Sequence, residues 1–242
     1  MRTVAVVQAR MGSTRLPGKV LEPIGDRPLV LWTLAAMAAV PEVSTIVVAI
    51  TDDASDDRLA AFLAAEGQIV HRGPVRDVLT RCWEAVAPYA PDLVIRETAD
   101  NPFVDAAVVA AQVRRAREGG FDYVGTAGWP LGIAAEVARA GALEAAYREA
   151  TDDAEREHVM PFLYARPERF RIGALEPAVP PPAGRFTVDT AADLAFVRAL
   201  AQRLGAVETA SIEALGRILA AEPELLELNR DVRQKTWQEA ER

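Results

Sequence analysis

The strongest constraint on the fold is an alternation, repeated along the chain, between short β-branched runs and longer stretches with helical spacing. This alternation predicts an α/β fold. The runs are apolar along their whole length, so each is expected to be buried on both faces, in a mostly parallel sheet between two layers of helices. The predicted strands are Thr3–Val7, Thr45–Ala49, Gln68–His71, Leu93–Arg96 and Tyr123–Gly125, and the predicted helices include Pro28–Ala39, Asp56–Glu66, Val78–Val86 and Ala140–Ala150.

The length of the chain fits a single domain. With 242 residues, half of them hydrophobic, the chain can bury one large core. The alternation breaks at 128–171, which we interpret as a flap or a dimerisation arm, and the stretch 211–242 has a charged helical pattern typical of a solvated C-terminal tail. We therefore predict one domain over 1–242 with these two additions.

The charge of the chain excludes several classes of partner. Its formal net charge is −8, whereas binding to nucleic acid or to an anionic membrane needs a broad basic surface.

The counts of cysteine and histidine limit the kinds of site. One cysteine, Cys82, and two histidines exclude a disulfide framework and a Cys/His zinc cluster. The chain starts directly on a strand pattern, and no apolar run approaches the ~20 residues that span a bilayer. These features predict a cytoplasmic protein that binds neither nucleic acid nor membranes.

The loop after the first predicted strand concentrates positive charge in this acidic chain. Its sequence, QARMGSTRLPGK, carries Arg10, Arg15 and Lys19 among small residues. Ligands of parallel sheets bind at the carboxyl ends of the strands, where free backbone N–H groups, and the dipole of the helix expected to follow, attract anions. The loop therefore predicts a phosphate site, and three solvated loop charges are the alternative.

The two common nucleotide-binding fingerprints do not fit this loop. A P-loop has four residues between its glycines and Ser or Thr after its lysine, whereas five residues separate Gly12 from Gly18 and Val20 follows Lys19. The pattern G-x-G-x-x-G is also absent. Lysine itself is rare, since all but two of the 27 cationic residues are arginine. A lysine in this loop favours a compact ammonium contact, such as one to a single phosphate oxygen.

The glycine loop also resembles the opening motif of a known family. QARMGSTRLPGK is similar to the signature of the cytidylyltransferases of acidic sugars, the CMP-Kdo and CMP-sialic acid synthetases, and within them to the SpsF spore-coat polysaccharide branch. The resemblance implies a Rossmann-like fold of the nucleotide-diphospho-sugar transferase type, CTP as a substrate and a homodimer. It also implies catalytic roles for Arg10, Arg15 and Lys19, and nucleotide contacts from Gln8, Ala9, Arg10, Gly12, Ser13 and Lys19.

Two aspartates at the ends of strand-like stretches are candidates to hold magnesium, which neutralises a triphosphate as pyrophosphate leaves. Asp100 ends LVIRETAD, where Pro102 stops the strand, and Asp189 ends FTVD, which we predict to be a strand before a helix from about Ala191. RETADNP and TVDTAADL are similar to the branch motifs R-x-T-[AG]-D-[CN]-P and T-V-D-T-x-x-D-L, which implies that Asp100 and Asp189 bind Mg²⁺ and that Asp100 is catalytic. A turn role for Asp100 and a helix N-cap at Asp189 or Thr190 are the alternatives.

A second nucleotide region is implied by HRGPVRDVLTRCWEA. It resembles the branch motif R-G-x-x-x-D-V-L-x-R, which implies base or ribose contacts from Arg72, Gly73, Asp77 and Arg81. The resemblance also adds Arg96, the first residue of RETADNP, to the nucleotide site. The alternative is structural, with Asp77 capping the following helix and pairing with Arg81 four residues on.

Two further stretches are implied to contact the acceptor substrate. GIAAEV matches G-x-x-x-E-V and EREHVMPF is similar to E-R-E-H-V-T-P-[YF], which implies substrate contacts from Glu136, Arg156 and His158. An arginine suits a sugar carboxylate, and a histidine titrates near neutral pH. A hydrogen-bonded structural histidine, or a contact between two subunits, is the alternative.

The leading hypothesis is a Mg²⁺-dependent cytidylyltransferase. A hydroxyl of an acidic sugar or a similar small acceptor attacks the α-phosphate of CTP, and pyrophosphate departs, which forms a CMP-conjugate for surface polysaccharide or glycoconjugate biosynthesis. A glycosyltransferase with a nucleotide-sugar donor is one alternative. Such enzymes usually hold the metal with an Asp-x-Asp pair after a strand, and the nearest stretch, ADNPFVD, does not have its aspartates at that spacing. A non-catalytic nucleotide-binding subunit is the other.

Overall fold

A computed structural model describes residues 1–204 and 210–234. Within them the strands are β1 Thr3–Gln8, β2 Pro23–Ile24, β3 Arg27–Pro28, β4 Val43–Thr51, β5 Val70–Gly73, β6 Leu93–Thr98, β7 Tyr123–Thr126, β8 Glu136–Arg139 and β9 Ile172–Leu175. The α-helices are α1 Leu29–Ala38, α2 Asp57–Ala65, α3 Val78–Val86, α4 Ala106–Gly119, α5 Ala140–Glu149, α6 Asp153–His158, α7 Pro161–Tyr164, α8 Ala191–Leu204 and α9 Ile212–Ala221. Short 3-10 helices occur at Lys19–Leu21, Ala54–Asp56, Ala87–Tyr89 and Pro223–Leu228. None of these helices is long and apolar enough to cross a membrane.

Seven of these strands form one sheet, in the order β5-β4-β1-β6-β8-β7-β9. Neighbouring strands are parallel except at β8, which is antiparallel to both β6 and β7. In the centre, Gln8 of β1 is the register partner of Ala49 in β4 and of Thr98 in β6, so the carboxyl ends of these strands lie side by side. The predicted mostly parallel mixed sheet is confirmed.

The side chains of β1 alternate between two apolar layers, as expected for a strand buried on both faces. Ala5 and Val7 pack in one cluster with residues of α1, α2 and α4, whereas Val4 and Val6 pack in another with residues of α3, α5 and α7. Helices therefore cover both faces of the sheet, and the three-layer α/β/α fold is confirmed. The five predicted strands are present with small shifts at their ends.

A third apolar cluster joins α8, α9 and the C-terminal 3-10 helix to α1 and the loop after β6. Leu215, Leu219 and Leu225 are buried in it. The predicted helix in the C-terminal stretch is present at Ile212–Ala221. The prediction that this stretch is solvated was wrong for these residues, because their apolar face packs against α8. The end of the predicted tail, 235–242, lies outside the described residues.

The segment 128–171 contributes both to the sheet and to its helical cover. β8 is inserted between β6 and β7, and the helices that follow pack against α3. The interpretation of this segment as a flap or a dimerisation arm, and the single domain over 1–242, stay predictions.

The stretch FTVD differs from its prediction. It is not a strand, although its backbone amides are hydrogen-bonded. Phe186 N–H donates to the carbonyl of Leu131 at 2.9 Å, and Val188 N–H donates to the carbonyl of Asp100 at 2.8 Å. These acceptors belong to two loops rather than to a neighbouring strand, so the stretch connects the loop after β6 to the start of α8.

Candidate active site

A polar cavity of about 260 Å³ lies at the carboxyl ends of β1 and β6. This is the position expected for a ligand site in a parallel sheet. Five of its lining residues are cationic and three are acidic, so positive charge is concentrated here in an acidic chain. The lining residues are Gln8, Ala9, Arg10, Ser13, Thr14, Arg15, Lys19, Val20, Val78, Arg81, Arg96, Thr98, Ala99, Asp100, Glu157, His158 and Asp189.

The glycine loop is shaped by its own backbone. The carbonyl oxygen of Met11 accepts hydrogen bonds from the N–H groups of Ser13 and Gly18, both at 2.9 Å. The buried carboxylate of Asp56 accepts from Met11 N–H at 2.7 Å, which anchors the start of the loop to the end of β4. Gly18 adopts φ 73°, a left-handed conformation that favours glycine, and leads directly into the 3-10 helix that begins at Lys19.

The loop also presents backbone donors. In the described part of the chain, no acceptor is found for the N–H groups of Gly12, Thr14 and Arg15, so they are available to an anion. The expected helix dipole is not part of the site. α1 begins at Leu29, whose N–H donates to the carbonyl of Glu22 at 2.9 Å, and no residue of α1 lines the cavity.

Lys19 is held at the centre of the site by three oxygens. Its Nζ lies 2.6 Å from Oδ2 of Asp100, 3.0 Å from Oδ1 of Asp189 and 2.7 Å from the carbonyl oxygen of Val188. The lysine side chain is only 10% exposed, so solvent screens these charge-assisted contacts poorly. The fold thus brings the one lysine of the glycine loop to both aspartates that the motifs singled out.

Three cations converge on Asp189. Arg15 lies 2.9 Å from its Oδ2, Arg185 contacts the same oxygen, and Lys19 contacts Oδ1. Burial alone would raise the pKa of Asp189, but the charge and hydrogen bond of Lys19, followed by the charges of Arg15 and Arg185, outweigh burial and hold this pKa below its ordinary value. The Asp189 carboxylate is therefore anionic at neutral pH.

The N-cap of α8 is Thr190 rather than Asp189. The Thr190 hydroxyl accepts from Asp193 N–H at 3.2 Å, while Oδ2 of Asp193 accepts from Thr190 N–H at 2.9 Å and from Asp189 N–H at 3.0 Å. These reciprocal bonds form a capping box. The sequence left Asp189 and Thr190 open as the cap, and the structure selects Thr190. The side chain of Asp189 therefore remains free of the cap and lines the cavity.

Asp100 is oriented from the end of β6. The Thr98 hydroxyl donates to Oδ1 of Asp100 at 2.5 Å, which leaves Oδ2 for Lys19. The side-chain amide of Asn101 donates to the Thr98 hydroxyl at 3.0 Å and to Oε1 of Glu97 at 2.6 Å. A chain of hydrogen bonds therefore runs from the buried Glu97 to the ammonium of Lys19.

Glu97 gives this network a pH dependence. Burial raises the pKa of Glu97 to about 8, against the lowering effect of hydrogen bonds from Thr98 and Asn101. A glutamate in the unfolded chain titrates near 4.5. Between these two values the folded protein binds a proton that the unfolded chain has lost, so the free energy of unfolding falls as pH rises, by up to about 1.4 kcal/mol per pH unit.

We predict that Glu97→Gln removes this slope. The variant should gain stability relative to the wild type as pH rises from about 5 to about 8, because glutamine carries no charge that must be buried. Urea unfolding at several pH values measures the difference. Glu118→Gln, at an exposed position of α4, is the matched control. A difference between Glu97→Gln and wild type that does not change with pH would contradict the prediction.

The start of the second predicted nucleotide region is occupied by structural contacts. Arg72 pairs with Asp57 at 2.6 Å and donates to the carbonyl of Thr51 at 3.1 Å. A Cβ at Gly73 would lie 3.1 Å from the side chain of Arg81, so glycine allows close packing here. Neither Arg72 nor Gly73 lines the cavity. Their predicted nucleotide contacts are therefore not seen in its lining.

Asp77 and Arg156, whose contacts with nucleotide and substrate stay predictions, contact each other in the structure. Asp77 caps α3 by accepting from Thr80 N–H at 2.9 Å, and it pairs with Arg156 at 2.6 Å. Both side chains lie outside the cavity lining. The predicted cap is confirmed, whereas the predicted pair of Asp77 with Arg81 was wrong, because Arg81 donates to the carbonyl of Pro74 instead.

Glu136 lies behind Arg96 rather than in the cavity wall. Arg96 lines the cavity and donates to Oε1 of Gln8 at 3.1 Å and to Oε2 of Glu136 at 2.6 Å. Glu136 also accepts from the Tyr123 hydroxyl at 2.8 Å. Glu136 thus orients Arg96, and its contact with a substrate hydroxyl stays a prediction. Gly12, which is exposed in the loop, also lies outside the lining.

The end of α6 reaches the cavity through a strained turn. His158 lines the cavity, and so does the neighbouring Glu157. Val159 is buried with φ 73° and ψ −59°, and Met160 N–H donates to the carbonyl of His158 at 2.9 Å. These angles are those of a γ-turn, which is costly for a β-branched residue and is found mostly at functional sites.

Several lining residues were absent from the predicted site. They are Thr14, Val20, Val78, Thr98, Ala99 and Glu157, whereas Arg81, which the second nucleotide motif implied, does line the cavity. Most are next to predicted residues in the sequence, so the motifs carried a signal for them. Asp56, which anchors the glycine loop, carried no such signal, because its contact with Met11 spans 45 residues.

The family model of the cytidylyltransferases matches residues 4–225 of the chain. The chain belongs to the cytidylyltransferase family. It is therefore a nucleotidyltransferase enzyme, and the family resemblance found in the glycine loop and the two aspartate motifs is confirmed.

Similar proteins are known at both sequence and structure level. The spore coat polysaccharide biosynthesis protein SpsF of Bacillus subtilis is 34% identical over 226 residues, which cover 90% of this chain and 94% of SpsF. A solved cytidylyltransferase from Leptospira borgpetersenii has a TM-score of 0.86 at 23% identity, over 98% of this chain and 99% of that one. A solved CMP:2-keto-3-deoxy-manno-octonic acid synthetase complexed with CTP has a TM-score of 0.67 at 20% identity, over 84% and 99%. Both structures share the fold of this cytidylyltransferase.

The donor set of the cavity fits Mg²⁺. Asp100 and Asp189 both contact Lys19 Nζ, and Mg²⁺ at nucleotide sites is usually held by one or two carboxylates together with phosphate oxygens and water. Between 1–204 and 210–234, no group of three or more Asp, Glu, His or Cys side chains is arranged to hold a metal ion. A metal bound in this cytidylyltransferase would therefore depend on oxygens supplied by the nucleotide.

Proposed function

We propose that this cytidylyltransferase transfers the CMP group of CTP to a hydroxyl of an acidic sugar or a similar anionic acceptor. The acceptor oxygen forms a bond to the α-phosphorus, and the bond from that phosphorus to the oxygen bridging to the β-phosphate breaks. Pyrophosphate leaves with that oxygen and its electron pair, and the hydroxyl proton passes to solvent. The product is a CMP-conjugate for the biosynthesis of a polysaccharide or glycoconjugate.

The observation that supports this proposal most is the position of Lys19 between Asp100 and Asp189. A lone ammonium among carboxylates at the mouth of a parallel sheet, beside a loop with bare backbone N–H groups, suits a polyphosphate with its counter-ion. The α-phosphate would lie near these aspartates. The two outer phosphates would lie along the loop.

The glycine loop supplies the groups that neutralise the leaving pyrophosphate. Arg10, Ser13 and Arg15 line the cavity beside Lys19. When a triphosphate enters, we expect Lys19 and Arg15 to exchange their aspartate partners for phosphate oxygens, because a phosphate dianion is a stronger partner for these cations than a shared carboxylate. The chain's own residues then stabilise charge where it develops, which lowers the barrier to transfer.

Asp100 and Asp189 would hold Mg²⁺, which would supply Lewis-acid stabilisation of the phosphate charge. The contribution of the chain is to hold both carboxylates in place. Thr98 fixes Asp100, and the capping box at Thr190 leaves Asp189 directed into the cavity. The requirement for Mg²⁺ remains part of the proposal.

A second group of lining residues favours an anionic acceptor. Arg81, Arg96 and His158 line the cavity, and Glu157 is the acidic residue next to His158 in the sequence. Arg96 is oriented by Gln8 and Glu136, so its guanidinium is held in place for a ligand carboxylate. The names of the relatives agree with this chemistry, since SpsF acts in polysaccharide biosynthesis and the CTP complex is that of a synthetase for a keto-deoxy sugar acid. The predicted homodimer stays a prediction.

The proposal is tested by pyrophosphate release. Purified protein with Mg²⁺ is incubated with CTP, UTP, ATP or GTP and with sugar acids or their neutral sugar-alcohol analogues. We expect release with CTP and an acidic acceptor, together with a CMP-conjugate detected by mass spectrometry. Release of a nucleoside diphosphate from a nucleotide sugar, or equal rates with acidic and neutral acceptors, would contradict the proposal.

A further inference from the structure

We propose that the C-terminal segment Pro223–Gln234 positions Asp189 for the reaction through Asn229, an inference that rests on the proposed function. Asn229 directly follows the 3-10 helix Pro223–Leu228 and is 6% exposed. It does not line the cavity. Asn229 contacts Arg185 and Asp193, which in turn contact Asp189. Its proposed role is therefore that of a positioning residue rather than a catalytic one.

The side-chain amide of Asn229 contacts two residues behind the active site. Its Nδ2 donates to the carbonyl oxygen of Arg185 at 3.1 Å and to Oδ1 of Asp193 at 3.1 Å. Asp193 is fully buried, so water does not reach its carboxylate. Each hydrogen bond from the protein therefore satisfies an oxygen that would otherwise lack a donor. One amide thus ties the segment to both flanks of the 185–193 stretch.

Arg185 and Asp193 in turn hold Asp189 at two atoms. Oδ2 of Asp193 accepts from the backbone N–H of Asp189 at 3.0 Å, which fixes the main chain. The guanidinium of Arg185 contacts Oδ2 of Asp189 and lies 3.2 Å from Oδ1 of Asp193, which fixes the side chain. Gln234, at the far end of the segment, accepts from Arg185 at 2.9 Å. Together with Lys19 and Arg15, residues that the C-terminal segment holds therefore fix the orientation of Asp189.

The segment itself is firmly attached to the rest of the protein. Leu225 is buried in the third apolar cluster against α8. At the start of α9, Asp105 accepts from the backbone N–H of Ile212 at 2.9 Å. Arg203 of α8 pairs with Glu222 immediately before the 3-10 helix. Because these contacts do not involve Asn229, the segment stays attached when Asn229 is altered, and the effect on Asp189 is separable from attachment.

The test is Asn229→Ala in the full chain. Removing the donor leaves Asp193 and Arg185 free to shift, so Asp189 loses its fixed orientation. We expect the rate of pyrophosphate release to fall about 10–100-fold and the Mg²⁺ concentration for half-maximal rate to rise by a similar factor, as for other residues that orient metal ligands. The KM of the acceptor should stay within about twofold, because Asn229 does not line the cavity and contacts none of Arg81, Arg96 and His158. Asn229→Ser replaces alanine if that variant does not fold.

A second measurement needs no turnover. Mn²⁺ replaces Mg²⁺, and its binding to the protein with CTP and without acceptor is followed by electron paramagnetic resonance. The affinity for Mn²⁺ should fall in Asn229→Ala. It should fall at least as far in Asn229→Asp, which keeps the size of the side chain but places a carboxylate against Asp193.

Glu222→Gln is the matched control. It breaks the ion pair with Arg203 in the same region, so it costs stability of attachment without touching Arg185 or Asp193. We expect an unchanged Mg²⁺ requirement. If Glu222→Gln raised that requirement as far as Asn229→Ala does, the effect would belong to attachment and the positioning role would be overturned.

The outcomes separate this inference from the proposed function. Wild-type protein that releases no pyrophosphate from CTP with any acceptor would overturn the proposed function, and the Mn²⁺ titration would then decide the positioning role by itself. Active wild-type protein, with Asn229 variants of unchanged Mg²⁺ requirement and Mn²⁺ affinity, would overturn the positioning role alone.

Discussion

Replacing Lys19 with methionine is expected to lower the rate of pyrophosphate release from CTP by about 10²–10³-fold, the range typical of losing one preorganised charge at a reacting group. Methionine keeps an apolar stem but removes the ammonium that lies 2.6 Å from Asp100 and 3.0 Å from Asp189. That ammonium is placed where negative charge develops on the leaving pyrophosphate. Steady-state rates at saturating CTP and acceptor measure the loss.

Two further variants sharpen this result. Lys19→Arg should not restore activity, because a planar guanidinium does not fit a point-charge site among three oxygens. Arg198→Met removes a different ion pair, 2.9 Å from Glu22 and outside the cavity lining, and should leave the rate within about twofold of wild type. A Lys19→Met enzyme as active as the Arg198→Met control would remove Lys19 from the proposed site.

The Lys19→Met variant is also expected to raise the affinity for a metal ion while it lowers turnover. In the protein without nucleotide, the ammonium occupies the position between Asp100 and Asp189. Its removal leaves two carboxylates without their shared cation, so we expect the affinity of the nucleotide-free protein for Mn²⁺ to rise while turnover falls. A variant that is merely misfolded would lose turnover without gaining Mn²⁺ affinity, which makes the pair of measurements a test of the geometry itself.

Replacing Asp100 with asparagine is expected to cost at least about 10³-fold in the same assay. A metal ion supplies several kcal/mol of charge stabilisation to the transition state, and each 1.36 kcal/mol is worth about tenfold in rate. Asparagine has the same shape, and its oxygen still accepts from the Thr98 hydroxyl, but it carries no charge for Mg²⁺ or for Lys19. The variant is therefore expected to fold normally, with the loss confined to turnover and metal binding.

The control for Asp100→Asn is Asp26→Asn. Asp26 is a highly exposed aspartate that contacts Arg27 in the β2–β3 hairpin, so its neutralisation changes the net charge of the chain equally without touching the cavity. We expect Asp26→Asn to match wild type in rate. Turnover in Asp100→Asn close to that of Asp26→Asn would show that the site assignment is wrong, provided that thermal unfolding confirms both variants to be folded.

The fold was predictable from the sequence because its cause is local. A strand such as β1 is apolar on both faces, which excludes a solvent-facing sheet, and the helical spacing of 28–39 and 78–86 predicts one helix for each of the two covering layers. The FTVD stretch was mispredicted because an extended, β-branched tetrapeptide has the same local pattern whether or not a neighbouring strand is present. Its amides bond two loops, a fact that no window of the sequence contains.

The candidate site was predictable only in part. Arg10, Arg15, Lys19, Asp100 and Asp189 were singled out by residue type and motif, and the structure brings all five to one cavity. Asp77 and Arg156 were singled out in the same way, but 79 residues apart they form an ion pair with each other. Motifs identify residues with constrained environments, and a half-buried ion pair also constrains a residue, as a ligand does.

By itself, the sequence determined which stretches are buried on both faces, where the glycine loop must turn and which charges an acidic chain places beside it. These depend on side-chain periodicity and on backbone conformation within a few residues. Only the tertiary structure decided that Lys19 meets Asp189 across 170 residues, and that Asn229 lies behind the aspartate. Such contacts depend on the order of the strands and on how the segment 210–234 packs against the rest of the protein, which no local pattern encodes.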